Sequence, residues 1–154
     1  MKKAYVVGTW DTKGAELDYI AALIGAAGVP TTRVDVSTSG SSAGTEILPE
    51  EVAAAHPQGS GAVLGLGDRG AAVEAMATAL ERFIVGRDDL GGIIGAGGTG
   101  GTALIAPAMR ALPVGTPKVL VSTVASGNVA PYVGPADIAM MYSVTDVQGI
   151  NRIS

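Results

Sequence analysis

One pattern constrains the fold of this chain more than any other: a short apolar run ends in a loop rich in glycine or hydroxyl residues, and a helical pattern follows. Residues 4–7 end at Gly8 in this way, and residues 93–94 end at a cluster of glycines. Short apolar runs that alternate with helical segments are typical of parallel strands buried on both faces. The pattern therefore predicts βαβ units.

Three longer segments between these runs carry apolar residues at helical spacing. The first is ended by Gly28, and the second runs from Asp68 or Arg69 to about Val85. A shorter helix is predicted at residues 49–55, where a proline and two acidic residues suit a first helical turn. The long apolar faces consist of Leu17, Ile20, Ala21 and Ile24; of Val73, Met76, Ala77, Leu80 and Ile84; and of Leu104, Ile105, Ala108, Met109 and Leu112.

The predicted elements give an α/β fold. Right-handed crossovers between successive strands produce a doubly wound, mostly parallel five-stranded sheet, flavodoxin-like or Rossmann-like, with helices on both faces. The length of 154 residues is usual for one domain, so the whole chain is predicted to form a single domain. The five strands are predicted at residues 4–7, 33–36, 93–94, 118–122 and 138–142.

Composition excludes several classes of function. A net charge of −4 argues against a nucleic-acid surface, which needs a basic stripe. With no cysteine and one histidine, His56, neither a disulfide framework nor a zinc site is expected, and the cytoplasm is the expected compartment. Residues 90–109 carry no charge, but glycines and Pro107 interrupt them, so we expect no membrane span.

Two regions are harder to interpret. Residues 37–60 are the least regular, and they fit either a mobile flap or a plain surface loop. Residues 143–146 resemble a helix start, and the short stretch 147–154 that follows is marginal as an isolated helix. We therefore expect that a longer protein continues past Ser154.

The strongest local signal for binding is the glycine cluster at residues 95–102. Glycines let backbone N–H groups approach an anion, and a helix N-terminus favours phosphate. The cluster has neither the Lys-Ser or Lys-Thr pair of a Walker loop nor an acidic residue at the end of the next strand, as a nicotinamide ribose requires. Tight helix–sheet packing is the alternative interpretation. The candidate phosphate ligands here are Gly97, Gly98, Thr99, Gly100, Gly101 and Thr102.

A second candidate loop follows the first strand. Lys13 would reach a phosphate as a point charge. Asp11 would either cap the helix or hold Mg²⁺ through water. Trp10 would either flank a base or cover the loop. The candidate residues of this loop are Gly8, Thr9, Trp10, Asp11, Thr12 and Lys13.

The predicted topology brings these two loops together, because the first and third strands flank the point where strand order reverses and ligands bind outside the carboxyl ends there. Arg69, at the start of the long helix, would either pair with a phosphate or form a surface ion pair with a partner such as Glu46 or Asp89. The other loops at this edge add Thr38, Ser122, Thr123, Ser126, Gly127 and Asn128.

Four segments together resemble one known family: residues 8–14 (GTWDTKG), 95–102 (GAGGTGGT), 121–129 (VSTVASGNV) and 140–143 (MMYS). They are similar to the ATP-binding family of bacterial and fungal proteins that includes the tomato inhibitor of tobamovirus RNA replication. The likeness covers the whole chain and implies the N-terminal part of a protein with two α/β halves. It also implies ATP binding, with Mg²⁺ as a candidate companion, and oligomerisation.

Three functions therefore remain open. The preferred one is a nucleotide-binding domain with ATP as ligand. The second is part of an enzyme that acts on a small phosphorylated or carboxylated metabolite, with its other catalytic groups in a second domain. The third is an interaction protein that a nucleotide only stabilises. The uncharged stretch 119–136 also predicts a homo-oligomer, with residues from Ile138 onward at the interface or poorly ordered.

Overall fold

The computed structural model describes residues 1–39 and 44–144. Its elements confirm the predicted alternation of strands and helices. In chain order they are β1 (Lys3–Gly8), α1 (Trp10–Ala26), β2 (Thr31–Asp35), α2 (Pro49–Ala53), a 3₁₀ turn (Ser60–Ala62), α3 (Arg69–Val85), β3 (Leu90–Gly97), α4 (Thr99–Ala111), β4 (Lys118–Ser122), a second 3₁₀ turn (Thr123–Ser126), α5 (Ala130–Val133) and β5 (Ala139–Tyr142).

The five strands form one parallel sheet in the order β2-β1-β3-β4-β5. This is the flavodoxin-like order, and it reverses direction between β1 and β3. At the carboxyl edge Gly8 pairs with Asp35, and Gly97 pairs with Ser122. The predicted fold is confirmed, and the loops after β1 and β3 are neighbours.

Helices cover both faces of the sheet, as predicted. On one face Tyr5, Val7 and Leu120 join the main core, to which α3 and α4 contribute. On the other face Val6 packs with Leu17 of α1 in a smaller core. The alternation of side chains along β1 therefore separates two apolar layers.

The structure extends β3 beyond its predicted bounds, so part of the glycine cluster is strand rather than loop. A Cβ on Gly95 would lie 3.0 Å from the side chain of Ile105, and a Cβ on Gly97 would lie 3.0 Å from the Cα of Gly101. These two glycines allow α4 to lie close against the sheet. The packing interpretation thus applies to the start of the cluster, and only Gly98 separates β3 from α4.

Residues 44–60 pack on the body of the domain. Ile47 forms a parallel bridge with Val34 along the outer edge of β2, and its N–H donates to the carbonyl of Arg33. Val52 of α2 is completely buried in the main core. The described part of this region is therefore neither a detached flap nor a plain surface loop, while residues 40–43 of the predicted flap lie outside the described residues.

Apolar side chains remain exposed near the far edge of the sheet. Val121 of β4 is half-buried, and its register partner Met141 of β5 is 62% exposed. None of the helices within residues 1–39 and 44–144 is long and apolar enough to cross a membrane. The expected helix start at 143–146 and the stretch to Ser154 lie mostly outside the described residues.

Candidate functional site

A cavity of about 660 Å³ opens at the carboxyl edge of the sheet, beside the point where strand order reverses. Four segments line it: residues 9–13, residues 38–39, residues 66–73 at the start of α3, and residues 97–104. The predicted site residues that the structure brings together here are Thr9, Asp11, Thr12, Lys13, Thr38, Arg69, Gly97, Gly98, Thr99, Gly100 and Gly101.

The N-terminus of α4 faces this cavity without a cap. Its N-cap residue is Gly98, which has no side chain to accept a hydrogen bond. The N–H of Thr102 donates to the carbonyl of Gly98, but within the described part of the chain the N–H groups of Thr99, Gly100 and Gly101 have no acceptor. Three free donors at the positive end of a 13-residue helix favour an anion.

The N-terminus of α1 is different, because its N–H groups already have acceptors. The N–H groups of Thr12 and Lys13 donate to the carbonyl of Thr9, at 3.2 and 2.8 Å. The backbone then breaks at Lys13, whose φ of −125° and ψ of 23° are not helical. Residues 9–13 thus form a separate turn, which offers side chains rather than N–H groups to the cavity.

Two residues that sequence reasoning did not select hold this turn. Asp35 and Ser37 follow one another closely at the end of β2, and both are completely buried. Asp35 Oδ1 accepts from the N–H of Trp10 at 3.2 Å, and Ser37 Oγ accepts from the N–H of Asp11 at 3.2 Å. An acidic residue at the end of the second strand of a βαβ unit was the available signal, since dinucleotide folds use that position for ribose.

The charged side chains at the cavity have mixed sign. Lys13 and Arg69 both line it, as does Asp11, whose carboxylate accepts a hydrogen bond from Ser39 Oγ at 2.7 Å. Arg69 forms no ion pair within residues 1–39 and 44–144. Carboxylate, hydroxyls and two cations at one cavity are suited to a phosphate and its counter-ion.

The alternative ion pairs predicted for Arg69 are wrong, because both acidic partners are engaged elsewhere. Glu46 pairs with Arg33 at 2.7 Å, and this hydrogen-bonded guanidinium holds the pKa of Glu46 below its ordinary value. Asp89 accepts from the hydroxyl of Tyr5, which lowers the pKa of Asp89 in the same way. Arg69 is thus left facing the cavity.

The cavity also has an apolar wall, which the sequence did not reveal. Leu66 precedes α3, Val73 belongs to α3, and Leu104 belongs to α4. The sequence predicts Val73 and Leu104 as core-facing positions of helices, yet together with Leu66 they line the cavity where α3 and α4 meet at the edge of the sheet. The other lining residues that sequence reasoning missed are Ser39, Gly67 and Ala72.

Several predicted ligands are not lining residues. A Cβ on Gly8 would lie 2.5 Å from the side chain of Leu17, so this glycine allows the approach of α1. The indole N–H of Trp10 donates to Asp18, and Asn128 Oδ1 accepts from the N–H of Ala130 at the start of α5. The remaining members of this group are Thr102, Ser122, Thr123, Ser126 and Gly127.

Other predicted absences concern metal and base chemistry. The described residues contain no group of three or more His, Cys, Asp or Glu side chains placed to hold a metal ion. His56 lies outside the cavity lining, and its Nδ1 accepts from the N–H of Gln58 at 3.1 Å. Among the described residues, the cavity therefore has neither a cluster of metal ligands nor a histidine base.

Comparison with known proteins gives the same family across the whole chain. Residues 2–154 match the family model described as Uncharacterised protein family (UPF0261) N-terminal domain. A UPF0261 protein of Rhizobium meliloti is 54% identical over all of this chain and 39% of its own length. A UPF0261 protein of Clostridium tetani is 42% identical over 99% of this chain and 39% of its own length.

A plant protein is also similar. The ToMV resistance protein Tm-1(GCR237) of Solanum lycopersicum is 38% identical over 99% of this chain and 23% of its own length. The resemblance inferred from the four motifs is therefore confirmed. The chain spans about two fifths of the length of the bacterial relatives it matches, so those proteins contain further sequence.

Proposed function

The chain belongs to the UPF0261 family, through the N-terminal domain of that family, and we propose that this domain binds a nucleotide, with ATP as the preferred ligand. The observation that carries the proposal is the uncapped N-terminus of α4, whose free N–H groups face a cavity that Lys13 and Arg69 also line. A volume of about 660 Å³ lies within the usual range of small-molecule sites, roughly 300–1,000 Å³.

Each group would have a distinct part in binding. The N–H groups of Thr99, Gly100 and Gly101 would donate to phosphate oxygens, and the Thr99 hydroxyl would add a further donor. Lys13 would contribute a point charge, and the guanidinium of Arg69 would contact a phosphate through two donors.

A divalent cation would find oxygen ligands among the residues that line the cavity. Asp11 brings a carboxylate, and Thr38 and Ser39 bring hydroxyl oxygens, which are the ligand atoms that Mg²⁺ prefers. One carboxylate alone binds a divalent cation weakly, so phosphate oxygens of the nucleotide would have to supply further ligands to the ion. The nucleoside end of the ligand would lie on the apolar wall formed by Leu66, Val73 and Leu104.

A second candidate is an enzyme that acts on a small phosphorylated or carboxylated metabolite. It is favoured by the length of the relatives, since about three fifths of the bacterial proteins lies outside the match. In this case the cavity would hold the anionic group, and residues of a second α/β domain would supply the acid or base. Within the described residues the cavity lining contains no histidine.

Assembly and compartment are part of the same proposal. The exposed Met141 and the half-buried Val121 give the sheet an apolar face suited to a second copy, so we expect a homo-oligomer. A chain without cysteine suits the reducing cytoplasm.

Calorimetric titration of the full-length protein tests the proposal. ATP, ADP, adenosine and ribose 5-phosphate are compared, each with and without Mg²⁺. Nucleotide binding predicts that ATP binds more tightly than adenosine and than the sugar phosphate. Tighter binding of the sugar phosphate would favour the enzyme instead, and a protein that binds neither ATP nor ADP would contradict nucleotide binding.

A further inference from the structure

The turn that carries Lys13 is fixed from inside the protein by the end of β2. Asp35 Oδ1 is a shared acceptor: it receives the N–H of Ser37 at 2.9 Å, the hydroxyl of Ser37 at 2.6 Å and the N–H of Trp10 at 3.2 Å. Ser37 Oγ in turn accepts from the N–H of Asp11. A carboxylate and a hydroxyl thus do together what an N-cap side chain does alone.

The residue placed to cap α1 does not do so. Thr9 is the N-cap of α1, but its side chain makes no capping hydrogen bond and lies 2.7 Å from the hydroxyl of Thr12 instead. If the fold alone mattered, rotation of the Thr9 hydroxyl towards the helix would satisfy one of these donors locally. The chain uses the buried pair Asp35 and Ser37 for this purpose.

This arrangement is costly. Asp35 is completely buried, and within the described part of the chain its second oxygen, Oδ2, has no hydrogen-bond partner. A buried carboxylate that is only partly satisfied loses hydration without full compensation. Natural proteins retain such local conflicts chiefly at functional sites.

Two consequences reach the cavity. The carboxylate of Asp35 already accepts from the N-terminus of α1. Of the two loops beside the point where strand order reverses, only the one that begins α4 therefore offers free N–H groups to an incoming anion. The same hydrogen bonds fix the turn that ends in the non-helical backbone of Lys13. On the cavity side Ser39, two residues after Ser37, holds the carboxylate of Asp11.

We infer that Asp35, acting through Ser37, is a positioning residue of the anion site: it fixes the turn of residues 9–13 so that Lys13 meets a phosphate bound at the N-terminus of α4. This inference rests on the proposed function. Asp35 and Ser37 would not contact the phosphate themselves. They would determine how strongly Lys13 contributes to phosphate binding.

A double-mutant cycle on the full-length protein tests this inference, with ATP, inorganic triphosphate and adenosine as the titrants. Ser37→Ala removes the acceptor of the Asp11 N–H. We expect it to weaken ATP and triphosphate binding on the order of tenfold and to leave adenosine nearly unchanged. The loss caused by Lys13→Ala should shrink by a similar factor in the Ser37→Ala background, because Lys13 is then no longer held in place.

Thr45→Val is the matched control. Thr45 is a buried hydroxyl residue beside β2 whose Oγ1 donates to the carbonyl of Ile47 at 2.9 Å, and it has no bond to the turn. Loss of the Thr45 hydroxyl should lower the melting temperature about as much as Ser37→Ala does, without changing the affinity for triphosphate. A merely structural role for Ser37 predicts that the two variants behave alike.

Asp35→Asn provides a second test, in which the sign of the change in triphosphate affinity distinguishes a positioning role from a charge effect. It keeps the shape of the side chain and an acceptor oxygen, so the domain is expected to fold. If Asp35 were only a nearby negative charge, its removal would strengthen triphosphate binding. A positioning residue predicts weaker binding, since an amide oxygen is a poorer acceptor than a carboxylate.

The two proposals fail in different ways. Wild-type protein that binds neither ATP nor triphosphate would overturn the proposed function, and the positioning role with it. Wild-type protein that binds both, is weakened by Lys13→Ala, and shows unchanged affinity and coupling in folded Ser37→Ala and Asp35→Asn variants would overturn the positioning role alone.

Discussion

The hydroxyl oxygens of Thr102 and Ser122 lie 2.5 Å apart, buried between the start of α4 and the end of β4. Thr102 donates its single proton to the carbonyl of Gly98 at 2.6 Å, so Ser122 must be the donor between the two hydroxyls. Ser122 Oγ itself accepts from the N–H of Val124. The chain of bonds therefore fixes the carbonyl of Gly98, while the N–H groups that follow it stay free.

The first prediction concerns this chain of hydrogen bonds. Thr102→Val keeps the shape of the side chain but leaves the Ser122 hydroxyl without its acceptor. We expect a loss of roughly 1–3 kcal/mol in the free energy of unfolding, the cost of an unsatisfied buried polar group. Urea denaturation measures it.

The double variant Thr102→Val with Ser122→Ala should cost less than the sum of the single variants, since neither partner is then left alone. Thr78→Val is the control, because the Thr78 hydroxyl is exposed and bonds to the carbonyl of Glu74 in its own helix. Additive losses would show that the two hydroxyls are independent.

The second prediction separates the glycines of the cluster by function. Apart from its own helix backbone, a Cβ on Gly100 would meet no atom of the described residues within 4 Å, whereas a Cβ on Gly97 would lie 3.0 Å from the backbone of Gly101. Gly100→Val should therefore leave a cooperatively folded domain but abolish ATP binding, because its side chain would cover the free N–H groups. Calorimetry for binding and thermal unfolding for stability provide the two measurements.

Gly97→Ala is the comparison variant and should fail in the other assay, with a lower melting temperature. If Gly100→Val bound ATP with unchanged affinity, the N-terminus of α4 would not be the phosphate site. If Gly100→Val did not fold, helix–sheet packing would explain this glycine as well.

The fold was predictable because local and long-range preferences agree. Each strand was evident as an apolar run, and the parallel order follows from the helices between the runs. Strand length was not: β3 continues through Gly95 and Gly97, since these glycines are needed where Ile105 and Gly101 of α4 approach the sheet. A glycine has the same appearance in sequence whether it serves a turn or a close contact.

The site was only partly predictable, for a related reason. Lys13 and the α4 loop were found because chemistry and sequence position coincide at strand ends. Asp35 is not evident from the glycine cluster, because a dinucleotide motif places its acidic residue at the end of the strand that follows the cluster, whereas Asp35 stands at the end of β2. Its partner Trp10 lies 25 residues away in sequence, and Asp11, the partner of Ser37, lies 26 residues from Ser37. Ser126 is predicted as a ligand from the composition of its loop, yet it belongs to a 3₁₀ turn outside the cavity lining.

The third prediction concerns Lys13. Lys13→Ala should weaken ATP binding by about 1.5–3 kcal/mol, the range for a hydrogen bond to a charged group, and should affect adenosine much less. Lys2→Ala makes the same change of charge at the opposite edge of the sheet, where Lys2 Nζ donates to the carbonyl of Asp88. Parallel titrations of both variants decide the matter: equal weakening of ATP and adenosine by Lys13→Ala would show that Lys13 does not contact phosphate.

The fourth prediction concerns acid stability. The side chain of Lys118 is completely buried and donates to Asp137 at 2.5 Å, which holds the pKa of the Asp137 carboxyl below its ordinary value of 3.8. A lowered carboxyl pKa stabilises the folded state above pH 3.8, and this contribution is lost as the pH falls through the lower folded-state value. Denaturation curves measured between about pH 2 and pH 6 should show this loss of folding stability.

Asp137→Asn should remove that part of the pH dependence and lower stability at pH 6, because the buried ammonium loses its carboxylate. Asp18→Asn is a suitable comparison, since Asp18 pairs with Arg33 on an exposed surface and is 52% exposed. An acid profile of Asp137→Asn that coincides with wild type would show that this pair does not contribute to the pH dependence.

The last prediction concerns self-association through the far edge of the sheet. Met141 of β5 is 62% exposed, and its register partner Val121 is half-buried, so the two form an apolar surface that solvent reaches. Met141→Glu would place a charge in any contact formed there, and burying that charge without a partner is unfavourable. We expect the full-length variant to dissociate at concentrations where the wild type is oligomeric, as measured by light scattering over a dilution series. Val114→Glu introduces the same charge at a residue that is 87% exposed in the turn before β4, and it should leave the oligomer unchanged. A wild-type protein that stays monomeric at high concentration, or a Met141→Glu variant that associates as the wild type does, would show that this surface is not the contact between copies.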